Sequence, residues 1–153
     1  MQKITIEPFK VIGISVRTIN HADTAAKDIG GLWDRFISQN LLAQIPDKLE
    51  DSIYAIYTNY EGDFTQPYDT IIGCKVSTLD NIPEGMVGQT LGGGTYAKFL
   101  SKGDMTKGSV YKTWEGIWKE DLKRVYTADF EFYGEKARNP MDGEVDIFVA
   151  LEA

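Results

Sequence analysis

The sequence contains a single cysteine, Cys74, so no disulfide can form within the chain. Cys74 closes the apolar run Ile71-Ile72-Gly73-Cys74, where a small buried thiol is the expected role. Histidine is equally scarce. His21 stands alone in a polar turn, which leaves no histidine cluster for a metal and no histidine-based triad. No metal or cofactor is expected. Positive charge is in deficit: 16 Lys and Arg against 23 Asp and Glu give a net charge of -7. The basic residues are scattered, with no stripe that could follow a phosphate backbone or an anionic membrane surface. An acidic surface instead raises the local concentration of cations. No apolar run is long enough to span a bilayer. The start, Met1-Gln2-Lys3-Ile4-Thr5-Ile6, alternates polar and apolar residues and lacks the core and cleavage site of a signal peptide. The cytoplasm is the expected location. Gly92-Gly93-Gly94 lacks the Gly-Lys-Ser/Thr of a phosphate loop and reads as a bulge or bend.

What the chain does have is apolar and aromatic side chains, 42% and 12% of its 153 residues, which suits a single domain with a real core. Residues 3–18 read as one long strand rich in β-branched residues, kinked near Pro8 and Gly13. A helix over 24–39 carries Ile29, Leu32, Trp33, Phe36 and Ile37 on one apolar stripe, weakened by Gly30 and Gly31. Strands are predicted at 53–58 and 68–77, then a polar link to Gly85, then a strand region 86–101 broken at the three glycines. A second helix over 106–124 places Val110, Trp114, Ile117, Trp118 and Leu122 on its apolar face, with Tyr111 beside it. Strands at 129–134 and 144–152 complete the chain, and Asp142-Gly143 ends the turn between them.

The order is β-α-β-β twice, with repeat one at about 1–80 and repeat two at about 84–153. Tyr54-Ala55-Ile56-Tyr57 stands against Phe130-Glu131-Phe132-Tyr133. Tyr57 and Tyr68 are eleven positions apart, as are Tyr133 and Glu144. Trp33 and Trp114 hold corresponding places in the two helices. The expected fold is α+β: antiparallel sheets, one helix per repeat, a pseudo-twofold axis and a ligand cleft between the repeats.

Glu131 is the residue of greatest chemical interest. Alternation puts it on one face of its strand with Tyr133, and Phe130 and Phe132 on the other. Its counterpart in repeat one is Ala55, so a site symmetric in shape is charged on one side only. An unpaired buried carboxylate is costly. Either Glu131 faces water or pairs with a lysine such as Lys98, or it awaits something cationic. Aromatic rings around it would add cation–π attraction of ~0.5–2 kcal/mol each. Glu144 and Asp146 alternate on the last strand and are candidates to share a cleft with Glu131, which would permit divided acid and base roles.

Four segments taken in order resemble the GyrI-like small-molecule-binding domain, also called the AraC-type effector-binding domain. They are Gly94-Thr95-Tyr96-Ala97-Lys98-Phe99, Tyr111-Lys112-Thr113-Trp114 with Ile117-Trp118, Phe130-Glu131-Phe132-Tyr133, and Glu144-Val145-Asp146-Ile147. The resemblance covers nearly the whole chain and implies two β-α-β-β repeats around a pseudo-twofold cleft. It implies a lipophilic organic cation as ligand, with the glutamate of Phe-Glu-x-Tyr, here Glu131, facing it. It also implies an aromatic wall, taken here as Tyr68, Tyr111, Trp114 and Tyr133 with Trp33 and Phe36. Regulators of this type carry a separate helix-turn-helix domain. Here the first strand starts at residue 3, so a stand-alone sensor or sequestering protein is expected, without direct nucleic-acid binding. Some relatives look like hydrolases of electrophilic compounds, in which case Glu131 would be the base. Others are described as inhibiting DNA gyrase, which would make a protein the partner.

Overall fold

The computed structural model describes residues 1–153. Its strands are β1 (Gln2–Ile6), β2 (Phe9–Thr18), β3 (Ile53–Thr58), β4 (Tyr68–Val76), β5 (Val87–Leu91), β6 (Gly94–Gly103), β7 (Ala128–Tyr133) and β8 (Gly143–Ala150). Its helices are α1 (Thr24–Ser38) and α2 (Ser109–Trp118). All eight strands join one antiparallel sheet in the order β1-β6-β8-β7-β3-β4-β2-β5. The two halves, β2-α1-β3-β4 and β6-α2-β7-β8, therefore meet edge to edge through β3 and β7 in a single sheet. This is the α+β fold expected from the sequence.

The long strand expected over 3–18 is two strands. Pro8 has no N–H to give a ladder, and the chain breaks at Glu7-Pro8. Opposite that break lie Gly92 and Gly93. A Cβ on Gly93, whose φ is +73°, would sit 2.5 Å from the Ile6 carbonyl oxygen, so only glycine fits there. The pairing nonetheless keeps step across the gap, with Ile6 opposite Gly94 and Phe9 opposite Leu91. The ribbon 2–13 against 87–98 is continuous, and its two ends supply the two outermost strand pairs of the sheet.

In β3 and β7, Ala55 lies directly opposite Glu131. These are equivalent positions of the two repeats, so the pseudo-twofold axis passes between them. The helices leave this centre open: α1 packs on β2 and β4, and α2 on β6. The middle pair β3–β7 forms the floor of a groove between them. Side chains facing the helices form two cores, one with Ile12, Ile14, Leu32, Phe36, Ile72 and Cys74, the other with Trp114, Ile117, Val145, Ile147 and Val149. The opposite face of the sheet is closed by a shared aromatic core in which Phe130 meets Phe9, Tyr96 and Phe148 at 4.6–5.5 Å between ring centroids. Burial on both faces explains the unbroken apolar run in β4.

Helix α2 is shorter than the expected 106–124. A 3-10 turn at Met105–Lys107 precedes it, and it stops at Trp118. Residues 119–127 leave the helix because Arg124 is drawn to buried Asp129, at 2.7 Å. A tertiary ion pair thus overrides a helical pattern. Helix α1 buries Leu32 and Phe36 as expected, but Ile37 is 63% exposed because it flanks the groove.

Candidate functional site

Glu131 lies on the groove floor, 2% exposed. Its Oε2 accepts hydrogen bonds from the Tyr57 hydroxyl and the Trp114 Nε1–H, each at 2.7 Å. Its Oε1 accepts from the Tyr133 hydroxyl at 2.6 Å. No lysine, arginine or histidine nitrogen comes within 4.0 Å of it. Lys98 instead faces Asp146, at 3.9 Å. Glu131 is thus a buried carboxylate held by three neutral donors, with no countercharge.

The fold dictates this clamp. Tyr57 and Tyr133 are equivalent positions two residues beyond the axis pair, so strand alternation puts both on the groove face, one on either side of Glu131. Each also meets a tryptophan from the opposite repeat's helix. Tyr57 packs edge-on to Trp114 at 5.8 Å, and Tyr133 edge-on to Trp33 at 4.9 Å. Burial pushes the Glu131 carboxyl above the usual carboxylate range, while the bonds from Tyr133, Trp114 and Tyr57 pull it back down. Burial, and the nearby Glu131 charge, push the Tyr57 and Tyr133 hydroxyls well above the ordinary tyrosine value. Both therefore remain donors.

A cleft of ≈ 1020 Å³ opens on the Tyr133 side of the clamp, walled by Trp33, Ile37, Val110, Tyr111 and Tyr133. Glu131 does not line it; the Tyr133 ring stands between them. On the Tyr57 side the groove is filled. Phe64, from the β3–β4 loop, stacks on Trp118 at 5.7 Å and 7° between planes. The Arg124 guanidinium lies 4.4 Å from the Tyr126 ring centroid, 5.7 Å from that of Phe64 and 6.0 Å from that of Trp114. Arg124 donates to Asp129, which also accepts from the Tyr60 hydroxyl at 2.6 Å and the Ala150 N–H at 2.8 Å. The second half-groove thus holds a cation of the protein's own.

Of the residues singled out in the sequence, the structure brings together Glu131, Trp114 and Tyr133, with Trp33 against Tyr133. Tyr111 forms an outer wall of the cleft and is 60% exposed. Tyr68 lies on the filled side, against Tyr57 at 5.9 Å, its hydroxyl donating to Asn20. Phe36 is core beneath α1 and does not reach the cleft. Glu144 and Asp146 do not share the site. Asp146 opposes Phe132, whereas Ile147 opposes Glu131, so both acidic residues point to the other face of the sheet. Tyr57, matched to Tyr133 by the repeat, joins Glu131, Trp114 and Tyr133, while the residues missed from sequence are Tyr60, Phe64, Arg124 and Asp129 as partners in the groove. Alternation from Glu131 could have found Asp129. Nothing local indicates Arg124 or Phe64.

No helix is long and apolar enough to cross a membrane. The chain is similar to an integron cassette protein from the mobile metagenome of Vibrio cholerae, with 31% identity, 99% of this chain and 95% of that chain covered, and a TM-score of 0.76. It is similar to YobU of Bacillus subtilis (strain 168), provisionally named a transcriptional regulator protein, at 33% identity over 144 residues, covering 92% of this chain and 90% of that protein. The structure of SAV2435 bound to tetraphenylphosphonium shares the fold at 17% identity, with a TM-score of 0.81 over 99% of this chain and 93% of that chain. The sequence model of the integron-associated effector-binding proteins (Cass2) matches residues 4–151, and the chain belongs to that family, within the GyrI-like effector-binding proteins.

Proposed function

We propose that this protein binds small lipophilic organic cations in the groove between its two helices, as a sensing or sequestering module formed by residues 1–153 as one unit. The observation that carries the reading is Glu131: a carboxylate 2% exposed, with three neutral donors and no cation beside it. A countercharge is the one interaction the site leaves open. The ligand enters the cleft against Trp33 and Tyr133. Turning Tyr133 aside then brings the cation to Glu131, with Trp114 and Tyr57 as its ring neighbours. The cation bound by SAV2435, on the same fold, is of this class.

The test is a tryptophan-fluorescence titration with tetraphenylphosphonium and neutral triphenylphosphine oxide, on wild type and Glu131→Gln. Saturable quenching by the cation should weaken at least ~10-fold in the variant, with the neutral compound changed little. Equal loss for both would remove Glu131 as the charge determinant. The hydrolytic alternative gains nothing from this geometry, since Glu144 and Asp146 lie on the far face.

A further inference from the structure

The open cleft carries positive charge of its own. Beyond its aromatic wall it is lined by Lys48, Asp51 and Arg138. The Lys48 Nζ donates to the Leu42 carbonyl oxygen at 2.7 Å, which fixes the ammonium at the wall and leaves its other hydrogens unspent. Arg138 follows the short turn Glu135–Ala137 and is exposed. Neither cation has a carboxylate oxygen within 4.0 Å, so Asp51 neutralises neither by contact. In a protein of net charge -7, this lining gathers two positive charges against one negative.

The depth of the groove has the opposite sign. Past Tyr133 lies Glu131, with no cation near it. A ligand that is only cationic gains at depth and meets like charge at the wall. A carboxylate on the same ligand would take charge-assisted hydrogen bonds from the Arg138 fork and the Lys48 ammonium. A cleft of ≈ 1020 Å³ has room for both poles of a drug-sized molecule.

We propose that the ligand of this cleft is zwitterionic, an organic cation set against Trp33 and Tyr133 and joined to a carboxylate-like anion held by Arg138 and Lys48. This rests on the cation-binding reading above and adds the second pole. The probes are N-carboxypentylquinolinium, a zwitterion, and its methyl ester, a cation of nearly the same shape. Wild type should bind the zwitterion about 10-fold more tightly than the ester. Lys48→Met with Arg138→Gln should abolish that preference and raise ester affinity, since the like charge at the wall is gone. Arg138→Gln alone, at an exposed position where misfolding is not at issue, should cut the preference at least ~3-fold. Ester bound as tightly as the zwitterion by wild type would overturn the proposal and leave the cation reading standing. So would a preference that survives both substitutions. Failure of both probes to bind would overturn both readings.

Discussion

At the scale of the residue, Glu131 concentrates the chemistry and carries a stability cost. Its carboxyl is raised above the usual range because burial outweighs the bonds from Tyr133, Trp114 and Tyr57. The folded state therefore holds the proton more tightly than the unfolded state. Stability contributed by the protonated form is fully present below the unfolded value and is lost as pH rises through the folded one. Glu131→Gln removes this loss. Denaturant midpoints from about pH 5 to about pH 8 should show wild type losing ground to the variant as pH rises. Parallel curves would mean that Glu131 ionises in the folded protein as it does in water. The same sign governs binding. Protons compete with the cation for Glu131, so tetraphenylphosphonium affinity should rise with pH and level off once the empty site is ionised. A flat profile in wild type, or the same slope in Glu131→Gln, would contradict this.

At the scale of the element, two local features decide how the groove is built. The first is the stretch 119–127, where Arg124 leaves the helical pattern to reach Asp129 at 2.7 Å. Both side chains are nearly or wholly buried, so removing one partner strands a charge. Arg124→Met should cost about 3–5 kcal/mol, and Arg124→Met with Asp129→Asn should recover much of it. Thermal or urea unfolding of the single and double variants beside wild type measures this. Equal destabilisation of the single and double variants would locate the loss in packing against Tyr126 and Phe64 instead. The second feature is Gly93. Its positive φ and the Ile6 carbonyl 2.5 Å from any added Cβ make Gly93→Ala destabilising by more than about 1 kcal/mol, read as a lower urea midpoint.

At the scale of the whole molecule, one sheet joins two like halves, and their meeting line is the site. Much of this was legible in the sequence. The boundaries of α1 and β3 fell where periodicity placed them, and Tyr57 and Tyr133 were matched by repeat alignment alone. Glu131 was marked by a charge among aromatics, because period-2 alternation is a local property. The rest needed distance. The kink at Pro8 was legible, but that the two parts of the expected 3–18 strand pair at opposite ends of the sheet depended on residues 87–98. Phe36 and Trp33 are three positions apart on one helix, yet only the packing of α1 on β2 and β4 decides that one is core and the other a cleft wall.

The sequence by itself determined the two β-α-β-β units, their equivalence, and a lone carboxylate at the centre of one of them, since propensity, alternation and repetition act over short spans. The tertiary structure alone decided that three donors from three different elements converge on Glu131. It decided that Glu144 and Asp146 face away, and that one half-groove opens to solvent while Arg124 fills the other. Those outcomes follow from strand order and register across β3, β7 and β8, and pairing between distant strands is not encoded in the composition of any one of them.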